Sequence, residues 1–244
     1  MKVNQGHIGF ECINRPEGRY AMLFDTEKFP HPTEHQFSPS GYDDAQSVSG
    51  QGGRGGAWYV QTYAGPAVLK HYYRGGFLSK FVHKQYFFLG NERTRSFQEF
   101  NMLLKLSELG LPVPKPLVAF CKRGLFSYQA ALLTVCLLDV RSLATAAQLA
   151  DAPWQRVGEV LARFHRAGAH HSDLNANNIL INQRGDIFII DWDKCKLEQR
   201  TGPWCMKVLA RLQRSLLKEC VNGNQQQLQQ GISQMMQSYQ QAMK

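Results

Sequence analysis

The sequence predicts an α+β chain of two lobes: a small antiparallel β-sheet lobe with one helix, then a reduced, mainly helical lobe. Three observations predict it. Two β-rich runs, 57–63 and 67–73, precede one helical stretch and two further strand-like runs. Beyond residue 140 the text is mostly helical, interrupted by a single short hairpin. The chain has 244 residues, which at roughly 100–200 residues per domain is room for one large domain or two small lobes. The expected segments are a leader with a Gly-rich stretch (1–56), a sheet lobe with its hinge (57–139) and a helical lobe (140–244).

Each element has a local reason. Residues 25–56 are polar and turn-rich, from Pro30 and Pro32 to the glycines 50–56, a composition that is mobile unless a neighbour orders it. Ala57–Tyr63 alternates, Ala67–Tyr73 is β-rich, and Gly65-Pro66 between them predicts the turn of a hairpin. An insert at 74–95 mixes Arg74, Lys80, Lys84, Arg93 and Arg95 with five aromatics. From Ser96, Phe97, Phe100, Leu103 and Leu106 recur at helical spacing until Gly110 and Pro112 stop them. Strands follow at 117–120 and 127–134, and a short helix at 142–149. Asp151 is placed to cap the next helix, whose face carries Trp154, Val157, Leu161 and Phe164. Ile179–Ile181 and Ile187–Ile190 flank Asn182-Gln-Arg-Gly185, a hairpin turn. Two amphipathic helices close the sequence, the second inside a Gln-rich stretch at 225–241.

Composition narrows the partners. The net charge is +9, yet residues 1–60 carry five bases against seven acids, so the excess lies in the rest of the chain. A basic body suits an anionic partner: nucleic acid, anionic lipid or a phosphorylated substrate. The first fifteen residues hold no apolar run of signal-peptide length. The most apolar stretch, 130–138, is far short of the ~20 residues of a membrane helix, so any membrane association is expected to be peripheral. Six cysteines form no C-x-x-C and are expected to be reduced core thiols of a cytoplasmic protein.

The chemistry is concentrated in His171-Ser-Asp-Leu-Asn-Ala-Asn-Asn178, followed by Ile187-Phe-Ile-Ile-Asp191-Trp-Asp193. Phosphoryl transfer from a nucleotide needs one carboxylate to take the proton of the attacking hydroxyl, and a carboxylate with a carboxamide to hold Mg²⁺ on the phosphates. Asp173 with Asn178 five residues on matches the H-x-D-x-x-x-x-N loop of kinases, and Asp191 at a strand end fits the metal-binding Asp of D-F-G. Taken singly, these are ordinary loop and strand-end residues; together, at these spacings, they predict ATP and Mg²⁺ chemistry. Upstream, Lys70 in Ala67-Val-Leu-Lys70 lies near the V-A-I-K pattern, with Glu99 on the following helix as its expected partner and Glu92 and Glu108 as rivals. Gly53, Gly55 and Gly56 are candidates for nucleotide contact, although the stretch does not spell G-x-G-x-x-G and also reads as a linker.

With these residues in hand, the sequence resembles the lipopolysaccharide kinase family, its Kdo (3-deoxy-D-manno-octulosonic acid) kinases in particular. The likeness runs over roughly residues 55–195 and rests on Tyr72-Tyr-Arg-Gly-Gly76, Arg93-Thr-Arg-Ser-Phe-Gln-Glu-Phe100, Gly110-Leu-Pro-Val-Pro114, the 171–178 loop and Ile190-Asp-Trp-Asp193. It implies a protein-kinase-like two-lobed fold and ATP-dependent phosphorylation of a Kdo hydroxyl on a lipid A precursor, at the cytoplasmic face of the inner membrane. The bases of the insert, Arg74, Lys80, Lys84, Arg93 and Arg95, then suit a phosphorylated headgroup or membrane surface, and Lys207, Arg211, Arg214 and Lys218 on the penultimate helix add to that face. No nucleic acid and no obligate protein partner are expected.

Two departures from protein kinases argue for a small or glycolipid acceptor. Ser172 replaces the Arg of H-R-D, and Asp193 stands where D-F-G has Gly. The chain after Asp191 is too short for an activation loop plus a peptide-binding lobe. The alternatives are a heptose kinase of the same core or an aminoglycoside-type phosphotransferase, whose polycationic acceptor does not suit a basic body. A non-catalytic, kinase-shaped binder of membrane or nucleic acid would have no need of Lys70, Asp173, Asn178 and Asp191 together.

Overall fold

Strand-forming text begins well before residue 57. Tyr20-Ala-Met-Leu-Phe24 is a continuous apolar run, and Ile8, Phe10, Cys12 and Ile13 give it a partner, with Pro16 and Gly18 as turn residues between them. In the computed structural model, which describes residues 2–5, 7–16, 18–48, 56–72, 86–87, 90–124, 127–221 and 223–244, these runs pair in full register from Ile8↔Asp25 to Arg15↔Gly18. The described chain forms two units, residues 1–104 with 115–136, and residues 105–114 with 137–244.

The first unit is built on an antiparallel sheet. Its strands are β1 (Lys2–Gln5), β2 (Ile8–Arg15), β3 (Gly18–Asp25), β4 (Gln46–Ser47), β5 (Ala57–Thr62), β6 (Gly65–His71) and β7 (Tyr86–Phe87). Helix α1 (Arg95–Glu108) follows, then β8 (Pro116–Arg123) and β9 (Ser127–Val135). The spatial order is β1-β2-β3-β8-β9-β6-β5-β4, with β7 also on β9. Residues 1–56 are therefore no separate leader, because four of these strands lie within them. Nor is 25–48 loose: Phe29 and Phe37 are buried with Met22, Leu69 and Phe120, each ring worth ~1.5–3 kcal/mol of burial. The polar composition hid two anchors that suffice to order the segment. His71 Nε2 donates to the Phe37 carbonyl at 2.6 Å, tying it to β6.

The β5–β6 turn lies earlier than Gly65-Pro66 suggested, at Tyr63-Ala64. Thr62 pairs with Gly65, so Tyr63 and Ala64 form a two-residue loop and Gly65 supplies the positive φ of 101° that opens the return strand. Helix α1 buries Phe97 and Phe100, and Ser96 Oγ donates to the Phe120 carbonyl at 2.7 Å, fixing its first turn to β8.

The second unit contains β10 (Val140–Ser142), α2 (Leu143–Gln148), α3 (Trp154–Arg166), β11 (Ala169–His170), β12 (Ile179–Asn182), β13 (Ile187–Ile189), β14 (Lys196–Leu197), α4 (Pro203–Glu219) and α5 (Gln225–Met243). Asp151 does not cap α3; Pro153 holds that position and Asp151 pairs with Arg141 at 2.5 Å. The Gln-rich stretch is the amphipathic helix α5, docked on α3 through Leu228, Met235 and Tyr239. Two glycines set how closely these helices approach. A Cβ on Gly158 would fall 2.2 Å from the Met235 carbonyl oxygen, and one on Gly231 2.2 Å from the Trp154 ring.

Candidate active site

In the first unit, β6 and α1 bring together three side chains. Alternation along β6 turns Leu69 into the core and Lys70 to the opposite face. There Lys70 Nζ meets both carboxylate oxygens of Glu99, at 3.1 and 2.9 Å. Glu99 is almost fully buried, and the Tyr72 hydroxyl donates to its Oε2 at 2.6 Å. Lys70 and Tyr72 are two apart and share a face, the signal by which Tyr72 was legible as a third member, though the sequence reading assigned it no role. The rivals of Glu99 lie elsewhere: Glu92 is exposed before the helix and Glu108 pairs with Lys105 at its end. Arg95, one of the bases expected at the headgroup surface, places its guanidinium 5.0 Å from the centre of the Tyr72 ring, beside this cluster. Arg93 is exposed in a 3-10 turn, Asn91–Arg93. A cavity of about 380 Å³ in this unit is lined by Tyr20, Phe37, His71, Tyr72 and Lys122 among others; Lys70 and Glu99 do not line it, so it meets this cluster only through Tyr72.

The glycines divide. Gly56 is tight for a packing reason, since a Cβ there would lie 1.9 Å from the Trp58 ring. Gly53, Gly55, Arg74, Lys80 and Lys84 lie outside the described residues.

In the second unit, the loop 171–178 is held from within. Asn175 Nδ2 and Asn178 Nδ2 both donate to the Asp173 carbonyl at 3.1 Å, and Asn177 N donates to Asn175 Oδ1 at 2.9 Å, an Asx-type turn. Leu174 and Ala176 are buried beneath, which leaves the Asp173 carboxylate facing solvent. The β12–β13 hairpin then does what the sequence spacing required. Ile179 pairs with Ile189 and Ile190 N donates to the Asn178 carbonyl at 2.9 Å, so Asn178 and Asp191 flank the same end of the hairpin. Its far end is closed by Asn182, which accepts from Arg184 N and Asp186 N, while Arg156 of α3 pairs with Asp186 at 2.8 Å. Asp191 has a φ of +65°, a left-handed conformation that Asp tolerates better than most residues and that redirects the chain after β13.

His171 links the two halves of this site, a role the sequence reading did not give it. Asp173 N donates to its Nδ1 at 3.2 Å, which makes Nδ1 the acceptor; Nε2 therefore carries the hydrogen, donated to the Ile190 carbonyl at 3.0 Å. One buried imidazole thus ties the backbone of Asp173 to the residue before Asp191. Trp192 packs edge-on to it, stacks on Phe164 and donates from Nε1 to the Ile189 carbonyl. Ser172, in place of arginine, makes a hydroxyl contact with the Asp193 carbonyl at 3.3 Å. Just downstream of Asp193, hydrogen bonds first from Lys196 and then from His170 hold the Glu198 carboxyl below the usual carboxylate range.

A lysine–glutamate pair joining a strand to a helix, together with an H-x-D-x-x-x-x-N loop whose hairpin ends on an aspartate, belongs to the protein-kinase-like phosphotransferases. Within that class the chain is a member of the Lipopolysaccharide kinase (Kdo/WaaP) family, whose sequence model matches residues 42–239. It is similar to the 3-deoxy-D-manno-octulosonic acid kinase of Stenotrophomonas maltophilia (strain R551-3), 44% identical over 200 residues that cover 81% of this chain and 80% of that one. The protein of the same name from Xanthomonas campestris pv. campestris (strain B100) is 45% identical over 203 residues, 82% of each chain. That from Xanthomonas oryzae pv. oryzae (strain PXO99A) is 44% identical over the same length. Among the described residues, no helix is long and apolar enough to cross a membrane.

Proposed function

We propose that this chain transfers the γ-phosphoryl group of ATP to a hydroxyl of a Kdo sugar on a lipid A precursor, working peripherally at the cytoplasmic face of the inner membrane. The observation that carries the reading is its likeness, over four-fifths of both chains, to relatives named for phosphorylating that sugar acid. Asp173 accepts the proton of the acceptor hydroxyl, for which its exposed carboxylate is suited. Lys70, steadied by Glu99 and Tyr72, binds the nucleotide phosphates. Asn178 and Asp191 offer the hard oxygen donors that Mg²⁺ takes. Because Asn178 Nδ2 is engaged by the Asp173 carbonyl, Oδ1 is the atom it presents to a cation. Asn178 and Asp191 would hold the ion, which would offset the negative charge of the nucleotide phosphates. His171 keeps the Asp173 loop and the Asp191 strand end in fixed relation. Arg74, Lys80 and Lys84, with Arg93, favour the anionic headgroup side.

The test is ATP consumption by the purified protein with and without a Kdo-bearing lipid A precursor. ADP release that depends on this acceptor, with phosphate recovered on the Kdo residue, is expected. Turnover indifferent to the acceptor, or phosphate recovered on another sugar, would overturn the reading.

A further inference from the structure

Asp173 has a partner that the phosphoryl-transfer scheme does not use. Its Oδ1 is paired with the guanidinium of Arg211, from the middle of α4. Both side chains are about half exposed, at 54% and 48%, and a pair so open to water adds little to stability. Its position is nonetheless well fixed. Ser215, one turn on from Arg211, accepts a hydrogen bond from Ala176 N at 3.1 Å, which docks this face of α4 against the loop carrying Asp173.

Arg211 also belongs to a row. Lys207, Arg211, Arg214 and Lys218 follow at spacings of four, three and four, which places them along one face of the helix, and all four are exposed. Apart from Arg211, none of them makes an ion pair or hydrogen bond with another described residue. A row of exposed bases whose one ion pair among the described residues is with the proposed base is arranged for an anion that comes from outside.

The chemistry of the acceptor names that anion. A base must turn a carboxylate oxygen to the attacking hydroxyl, and Arg211 holds Oδ1 of Asp173, leaving Oδ2 for that task. An acceptor that brings its own carboxylate can draw the planar guanidinium into a forked pair beside the base while its hydroxyl meets Asp173. We propose that Arg211 is the residue that recognises the carboxylate of the acceptor sugar acid, pairing with Asp173 when no acceptor is bound and with that carboxylate when one is. This assignment rests on the reading of the acceptor as Kdo. Arg211 then links specificity to readiness, because the right acceptor releases Asp173 from its ion pair and places its own hydroxyl beside it. It also supplies from α4 a guanidinium beside the catalytic loop, where Ser172 has replaced the loop arginine.

The test compares the Kdo-bearing lipid A precursor with the same precursor carrying its Kdo carboxyl as the methyl ester, using the full chain and following phosphate incorporation from ATP. The wild-type protein should prefer the acid in kcat/KM by at least about 10-fold, and Arg211→Ala should lower kcat/KM for the acid by about 10- to 100-fold, mainly through KM, as loss of a charge-assisted hydrogen-bonded pair predicts. The acid-to-ester ratio should then collapse toward one. Arg211→Lys, which keeps the charge without the fork, should retain an intermediate ratio. A preference that survives in Arg211→Ala, or equal losses on both acceptors in both variants, would overturn the assignment and leave Arg211 as a support for Asp173. So would a wild-type enzyme that uses acid and ester alike, the result expected if Arg211 reads a phosphate of the lipid. A wild-type protein that phosphorylates neither acceptor would instead remove the Kdo reading itself, and this assignment with it.

Discussion

Glu99→Gln asks the most of the first unit, because the change is nearly isosteric and falls on a buried carboxylate with two partners. The amide can still accept from the Tyr72 hydroxyl, but the charge that holds Lys70 is gone. Removing one partner of a fully buried ion pair costs about 3–5 kcal/mol. Lys70 keeps 28% of its side-chain surface in water, so hydration takes up part of what the ammonium loses, and about 1.5–3 kcal/mol is the expected cost. In a chain of this length each kcal/mol moves the melting temperature by about 2–4 °C, giving a fall of about 3–12 °C. Differential scanning calorimetry reads that directly, and the KM for ATP, measured alongside, should rise because Lys70 is no longer held toward its ligand. Glu92→Gln, at an exposed position, is the control and should leave both quantities where they were. A Glu99→Gln protein with wild-type melting and wild-type KM would refute the claim that this pair orders the lysine.

Asp173→Asn should reduce phosphoryl transfer by about 10²–10⁴-fold while leaving nucleotide binding, followed by fluorescence titration, largely intact, since the loop is held through the Asp173 carbonyl rather than its side chain. Gly231→Ala should destabilise the second unit by about 1–3 kcal/mol in chemical denaturation, because the new methyl meets the Trp154 ring; a Trp154→Ala change in that background should recover part of the loss, and additive losses would deny the contact. Burial, with His170 nearby, lowers the His165 pKa to about 4 from an ordinary value of 6.5. Between these values the unfolded chain binds the proton and the folded one does not, so stability should fall as pH drops from 6.5 toward 4, by at most about 1.4 kcal/mol per unit, and level off below. His165→Gln should lose that part of the slope in pH-dependent unfolding.

The parts of this chain that were legible before any coordinates are those whose constraints are local or periodic. The β5–β6 hairpin, α1, the β12–β13 hairpin and α5 each announce themselves within a single short stretch of sequence. So does the spacing of Asp173, Asn178 and Asp191, because a short hairpin can only return the chain to where it left. The pairing of Lys70 with Glu99 was legible for a related reason: of three acids near α1, one lies on its early buried turns. What escaped notice depends on distant partners. Polar text at 25–48 is ordered by two aromatic rings that dock on β3 and on strands much further along the chain, with Leu69 and Phe120. His171 acquires its role only when Ile190 comes within reach of its Nε2, and Arg211 lies 38 positions from the aspartate it meets. Asp151 failed as a cap because Arg141 competes for its carboxylate.

The docking of α5 on α3 through Gly158 and Gly231 has a consequence for how the protein is made. The apolar side of α3 and the imidazole of His165 are covered by residues 228–239, which leave the ribosome only after the catalytic loop, the hairpin and α4 have all emerged. At roughly 5–20 residues per second the sheet unit can close on itself while synthesis continues. The second unit cannot, because the nascent chain carries an uncovered apolar face on α3 until α5 arrives. The same arrangement delays the finished phosphotransferase: β11, which leads into the Asp173 loop, packs on α3, and α3 reaches its final support only when α5 docks on it.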